Sequence, residues 1–114
     1  MSSTEMREPT FLVLAALADG RKHGYAVISE VTSLSSGRVT LRPGTLYAAL
    51  DRLCDERLVR PAGEEVVDGR LRRYYELTDA GAEGLATEAA RLRSNADQAV
   101  SRLRLRPASG GGVA

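Results

Sequence analysis

Asp68-Gly69 joins two runs rich in β-formers, LVRPAGEEVV at 58–67 and RLRRYYELT at 70–78. Asp-Gly in this setting is a strong hairpin signal, because the favoured tight turn needs positive φ at both central residues. In the second arm, alternation puts Leu71, Arg73, Tyr75 and Leu77 on one face and Arg70, Arg72, Tyr74 and Glu76 on the other. The face with Tyr75 and Leu77 is expected to meet the core. In the first arm, Pro61 and the Glu64-Glu65 pair predict an edge that is irregular near its middle. A hairpin cannot bury its apolar face alone, so the rest of the chain has to cover it.

That rest is mostly helical in pattern. Pro9 suits the first turn of a helix, and FLVLAALADG follows, ending at Gly20. A second helix is expected from about Gly24 to Leu34, carrying Tyr25, Ile28 and Val31 at helical spacing; Tyr25 is expected in the core. VTL at 39–41 alternates and could form a very short strand. A third helix should start near Pro43 and end near Glu56, with Leu46, Leu50 and Leu53 as its buried stripe. Thr78 can cap a last helix, helped by Asp79 in its first turn, and Pro107 ends that helix near Arg106.

The last helix carries a seven-residue pattern: Leu85, Ala89, Leu92, Ala96, Ala99 and Leu103 alternate at steps of 4 and 3. Such a seam wants a partner helix. It spans about 27 Å at 1.5 Å per residue, more than a small winged-helix core can cover, so a second subunit is the expected partner. The alternative is that it packs on its own domain.

The order is helix, helix, short strand, helix, hairpin, long helix. The fold class is mainly α with a small β-hairpin (α+β): a winged helix-turn-helix followed by a long C-terminal dimerisation helix. Residues 1–8 are read as a flexible N-terminus, 9–78 as the winged helix-turn-helix, 79–106 as the dimerisation helix and 107–114 as a disordered tail.

Composition narrows the function. The chain has 114 residues, is 43% hydrophobic, has no Trp and carries a net charge of +1. A near-neutral chain draws nucleic acid only through local clusters. Lys22 is the only lysine, so the positive charge is arginine, whose forked donors suit phosphate and guanine. Cys54 is the only cysteine and His23 the only histidine, so neither a disulfide nor a His/Cys metal set can form within one chain. A thiol on a helical face is more often a packing residue than a nucleophile. With no metal set, phosphate-binding loop or nucleophile–base pair, an enzyme is the weakest option and no cofactor is expected. MSSTEMREPT lacks the apolar run of a signal peptide, and no stretch approaches a membrane span, so a cytoplasmic protein without membrane contact is expected.

Three segments resemble the PadR-like transcriptional regulators, in particular the short members with a single C-terminal helix. HGYAVISEV at 23–31 is similar to the family's H-G-Y segment, GTLYAALDRL at 44–53 to its G-T-L-Y helix, and RRYYELTDAG at 72–81 to its junction from wing to last helix. In order and spacing they cover most of residues 9–85. The resemblance implies a homodimeric DNA-binding repressor whose third helix enters the major groove. The wing then lies along the backbone or minor groove, and the last helix forms the dimer with the first. Some members release DNA when a small, often aromatic, molecule binds, which makes a small apolar or aromatic effector a possible partner. This chain departs in having Arg57 where a glycine is common, Ala48 where many members have Pro, and no Trp for an inter-subunit drug pocket. Arginine is strained in a left-handed cap, so a different turn is expected after the third helix.

The candidate DNA-binding residues are Arg42, Thr45, Tyr47, Ala48 and Arg52 around the third helix, with Arg70, Arg72 and Arg73 on the wing. Small Thr45 and Ala48 permit close approach to base edges, and Tyr47 could give its hydroxyl to a phosphate. A solvated helix face is the plain alternative. Asp51 and Asp55 repel phosphate, so contact should end after the first two turns. The wing arginines could neutralise phosphates or simply guard an exposed edge, and with Glu64, Glu65 and Asp68 nearby only one or two are expected to serve DNA. Arg38 and Arg42 oppose the dipole of the third helix, which a phosphate or a nearby acid would explain. His23 could sense pH, although a turn or packing role is commoner. The candidate dimer interface is Leu85, Ala89, Leu92, Ala96, Ala99 and Leu103. Two-fold symmetry would make the operator an inverted repeat. A winged-helix protein-interaction module that does not bind DNA is the competing function.

Overall fold

The computed structural model describes residues 6–108. Four helices, α1 Glu8–Ala16, α2 Gly24–Leu34, α3 Pro43–Asp55 and α4 Asp79–Arg104, accompany a three-stranded antiparallel sheet of β1 Lys22–His23, β2 Val59–Val67 and β3 Arg70–Leu77, ordered β1-β3-β2. This is the expected α+β winged-helix arrangement. The ends of the expected flexible N-terminus and disordered tail, residues 1–5 and 109–114, lie outside the described residues.

The hairpin turn is built as Asp68-Gly69 predicts, with φ of 52° and 76° at the two residues. The β2–β3 register shifts between Pro61 and Glu64, where the proline cannot donate to the ladder. Leu46, Leu50 and Leu53 of α3 are fully buried, and with Leu14, Val27, Val31, Val59 and Tyr75 they form the centre of the core. Each such leucine contributes about 1.5–3 kcal/mol by burial. The Thr78 hydroxyl accepts the Gly81 N–H at 2.9 Å and so caps α4. The helix stops at Arg104, two residues before the expected end. Leu105 and Arg106 turn back on the Arg102 and Leu103 carbonyls ahead of Pro107.

Two expectations are corrected. Residues 39–41 form no strand, because the Ser35 hydroxyl accepts the Val39 N–H at 3.0 Å and Leu41 turns into the core. The second partner of β3 is instead Lys22–His23, paired with Tyr75 and Tyr74. Tyr25 is not in the core but 66% exposed; the buried face of α2 runs through Gly24, Val27 and Val31.

The end of α3 shows how the chain manages Arg57. Arg57 adopts the left-handed conformation itself, at φ 63°. Its N–H bonds the Cys54 carbonyl and the Leu58 N–H bonds the Leu53 carbonyl, each at 3.0 Å, which is the double closure of a Schellman cap. The expectation of a different turn is thus corrected: the turn is of the type a glycine would allow, and the strain is stored rather than avoided.

On its own chain, α4 packs near its N-terminal end. Leu85 is half-buried against the core. The Glu88 carboxylate is enclosed, held by Arg91 at 2.5 and 3.1 Å and by the Met6 N–H at 3.4 Å. The Arg91 hydrogen bonds lower its pKa from the ordinary 4.5, against the opposing effect of burial. Beyond that turn Leu92, Val100 and Leu103 are exposed. No helix among the described residues is long and apolar enough to cross a membrane.

Candidate nucleic-acid interface

With its leucines turned inward, α3 presents Thr45, Tyr47, Ala48, Asp51, Arg52 and Asp55 outward. Its N-cap is Arg42, which makes no capping hydrogen bond, and Pro43 opens the helix. Tyr47 is 37% exposed and leans against the first turn of α2. A β-carbon built on Gly24 would lie 2.2 Å from the Tyr47 hydroxyl oxygen. The two helices therefore meet where Gly24 leaves room for the ring.

An open cavity of about 490 Å³ separates this corner from the wing. His23, Gly24, Tyr25 and Tyr47 line it on the helical side; Val67, Asp68 and Arg70 through Arg73 line it on the wing side. The structure thus brings together Tyr47, Arg70, Arg72 and Arg73, four of the residues singled out from sequence. Their freedom differs. Arg73 lies 3.6 Å from the Glu64 carboxylate. Among the described residues, Arg70 and Arg72 carry no ion pair, and neither does Arg42. Arg52 stands apart from the group: it donates to the Thr10 hydroxyl of α1 at 3.1 Å and lies 3.7 Å from Glu56. Arg38 is paired with Glu8 at 2.5 Å, so a neighbouring acid accounts for that cation. The hydrogen bond from Arg38 lowers the Glu8 pKa.

The base of the wing is clamped from the helical side. The Arg21 guanidinium lies 4.4 Å from the Tyr74 ring centroid and donates to the Ala62 carbonyl at 2.7 Å. Tyr74 donates to Glu65 at 2.5 Å. His23 meets the Tyr74 ring edge-on at 5.6 Å and accepts the Ala26 N–H through Nδ1 at 3.4 Å, capping α2. Burial lowers the His23 pKa below the ordinary 6.5; Arg72 adds to this and Glu65 opposes it. His23 is therefore a packing and capping residue that stays neutral at pH 7. Cys54 is half-buried, and burial, with Asp51 and Asp55 adding, pushes its thiol pKa up. A thiol held protonated is a poor nucleophile.

Sequence reasoning missed Tyr25 as a lining residue because its spacing from Ile28 and Val31 imitates a core stripe. The available signal is Gly24, which the sequence marks as a point of close helix contact: continuing its own stripe to Val27 and Val31 gives the buried face and leaves Tyr25 outside it. Among the candidate dimer residues, Leu85 is engaged with its own core, whereas Ala89, Leu92, Ala96, Ala99 and Leu103 are all exposed.

Residues 13–87 match the model of the transcriptional regulator PadR-like family. Among curated proteins, the chain is 50% identical over 78 residues to an uncharacterized 37.1 kDa protein in transposon TN4556 of Streptomyces fradiae; the match covers 68% of this chain and 21% of that protein. It is 40% identical over 77 residues to a transcriptional regulator of Mycobacterium tuberculosis, covering 67% of each. The chain thus spans about a fifth of the first relative and two thirds of the second. Among solved structures, a PadR family transcription regulator from Clostridium difficile aligns with TM-score 0.68 and 23% identity over 82% of this chain and 96% of that one. Bacillus subtilis PadR, solved in complex with operator DNA, aligns with TM-score 0.63 and 22% identity over 71% and 46%.

Proposed function

This chain belongs to the transcriptional regulator PadR-like family, and from that membership we propose that it is a sequence-specific DNA-binding repressor that works as a homodimer on an inverted-repeat operator. The observation that carries this reading is the cavity between α3 and the wing, where Tyr47 faces Arg70 and Arg72, two cations without ion pairs among the described residues.

The first two turns of α3 enter the major groove. Thr45 and Ala48 are small enough for base edges to approach, while Arg42 and the Tyr47 hydroxyl meet phosphates on the near strand. Arg70 and Arg72 neutralise backbone phosphates beside the groove. Arg73 contributes less because Glu64 already neutralises it, and Arg52 contributes through α1 packing rather than through DNA. Asp51 and Asp55 end the contact by repulsion. The exposed Ala89, Leu92, Ala96, Ala99 and Leu103 pack on the same residues of a second copy; the alanines let the helices approach and the leucines supply area. Two-fold symmetry then sets the two α3 helices about 34 Å apart, on successive major grooves. A small apolar or aromatic effector acts by shifting that spacing.

A gel-shift assay on the DNA upstream of the protein's own coding sequence tests this. The reading predicts salt-sensitive, sequence-preferring binding by a dimer, and a folded dimer that binds no duplex above background sinks it. A second reading, a winged-helix module for protein partners, is favoured by Glu64 and Glu65, which occupy Arg73 and Tyr74. It predicts that same absence of DNA binding together with a stable protein complex.

A further inference from the structure

Gly24 and Tyr47 come from two separate sequence segments and meet at one point. A β-carbon on Gly24 would lie 2.2 Å from the Tyr47 Oη and 2.7 Å from Cζ, distances that side chains do not tolerate. Gly24 is buried in the first turn of α2, with its φ on the negative side. The glycine is therefore not needed for a special backbone conformation. What it provides is space, and the occupant of that space is the distal end of the Tyr47 ring. The Tyr47 backbone is fixed independently by Leu46 and Leu50, both fully buried. The hydroxyl thus lies against α2, at the rim of the cavity that Arg70 and Arg72 line from the wing.

We propose that Gly24 is a positioning residue: by receiving the Tyr47 ring it aims the Tyr47 hydroxyl at the same backbone phosphate that Arg70 and Arg72 approach from the wing. The phosphate rests on the DNA-binding reading above; the placement of the ring does not. Alanine at 24 pushes the ring out towards the wing, because the obstructing atoms are the free end of a side chain and the helices need not part. The fold survives while the hydroxyl loses its aim. The same crowding gives the substitution an unusual sign dependence. With Tyr47 absent, Gly24→Ala should raise stability, since alanine is the better helix former and the backbone is already compatible. With Tyr47 present, that gain should vanish or reverse.

The test is a double-mutant cycle on the full chain with Gly24→Ala, Tyr47→Ala and the double variant, read twice. The first reading is the thermal midpoint and needs no DNA: Gly24→Ala should raise Tm in the Tyr47→Ala background and lower it or leave it unmoved in the native background. An equal rise in both backgrounds overturns the placement. The second reading is affinity for a duplex selected on the native protein from a random-sequence pool. Either single change should weaken binding about tenfold, as expected for a lost hydrogen bond to a charged group, and the double variant should be no weaker than either. Losses that multiply, or a Gly24→Ala protein that binds like native, overturn the positioning role. If the native protein selects no duplex, the DNA-binding reading fails by itself and the Tm cycle still decides the placement of the ring.

Discussion

Gly81 stands so close to Leu58 that a β-carbon on it would lie 1.9 Å from the Leu58 carbonyl oxygen. That carbonyl accepts the Thr78 N–H at 3.1 Å, the Thr78 hydroxyl donates to the Arg57 carbonyl at 2.7 Å, and the Gly81 N–H bonds that hydroxyl in turn. Three backbone segments, the end of α3, the end of the wing and the start of α4, are thus tied at one point. The obstructing atoms, the Leu58 O, C and Cα, are all backbone, so they cannot swing aside. Gly81→Ala is expected to cost about 2–3 kcal/mol by overpacking, read as a drop in the urea midpoint. A midpoint within error of native would show that α4 can shift off Leu58 freely.

Arg57 makes the opposite prediction at the same junction. Its left-handed φ costs roughly 1 kcal/mol that glycine does not spend, while neither Schellman bond nor the Thr78 contact uses its side chain. Arg57→Gly should therefore stabilise the protein by about 0.5–1 kcal/mol in urea unfolding. A loss of stability would mean that the arginine side chain contributes more than its backbone strain removes.

His23 gives the fold a pH dependence of known sign. Its folded pKa lies below the unfolded 6.5, so the unfolded chain binds the proton more readily. The contribution is complete above pH 6.5 and is lost as pH falls from there through the lower folded value. Protonation also removes the lone pair with which Nδ1 caps α2. Tm measured from pH 7.5 downward should fall in that window, and His23→Asn, which caps without titrating, should flatten the fall. A profile equally steep in the variant would assign the dependence to other groups.

The wing arginines are predicted to be unequal. Arg72→Ala should weaken DNA binding across sequences and lower the salt slope by about one. Arg73→Ala should do less, since its charge already faces Glu64. Arg52→Ala should leave the slope unchanged, because Arg52 points to Thr10 and Glu56. Salt titrations of affinity for the three variants decide this, and equal slopes for Arg72→Ala and Arg73→Ala would contradict it.

Much of the fold was legible because its signals are local. Asp68-Gly69 needs two positive φ values, Pro43 opens a helix, Thr78 caps one, and each acts within a few residues of itself. The lost details depend on distant partners. Lys22–His23 is two polar residues with no alternation, and it becomes a strand only because β3 has a free edge beside it. Val39 has strand-like character but finds Ser35 before any strand. Tyr25 shares the spacing of a core residue, but Val31 also lies on the stripe of Gly24 and Val27, and that stripe is the one the core buries. Within the candidate site, sequence could place Arg70, Arg72 and Arg73 on one hairpin. Which of them is already neutralised depends on the register that sets Glu64 opposite Arg73.

The central claim is that two α3 helices of a dimer read one inverted repeat. A hydroxyl-radical footprint of the native protein on its selected duplex tests it most directly. The predicted result is two symmetric clusters of protection about one helical turn apart, roughly 10 base pairs between centres, with both clusters fading in Tyr47→Ala. A single asymmetric cluster, or protection that does not change with Tyr47, would contradict the account.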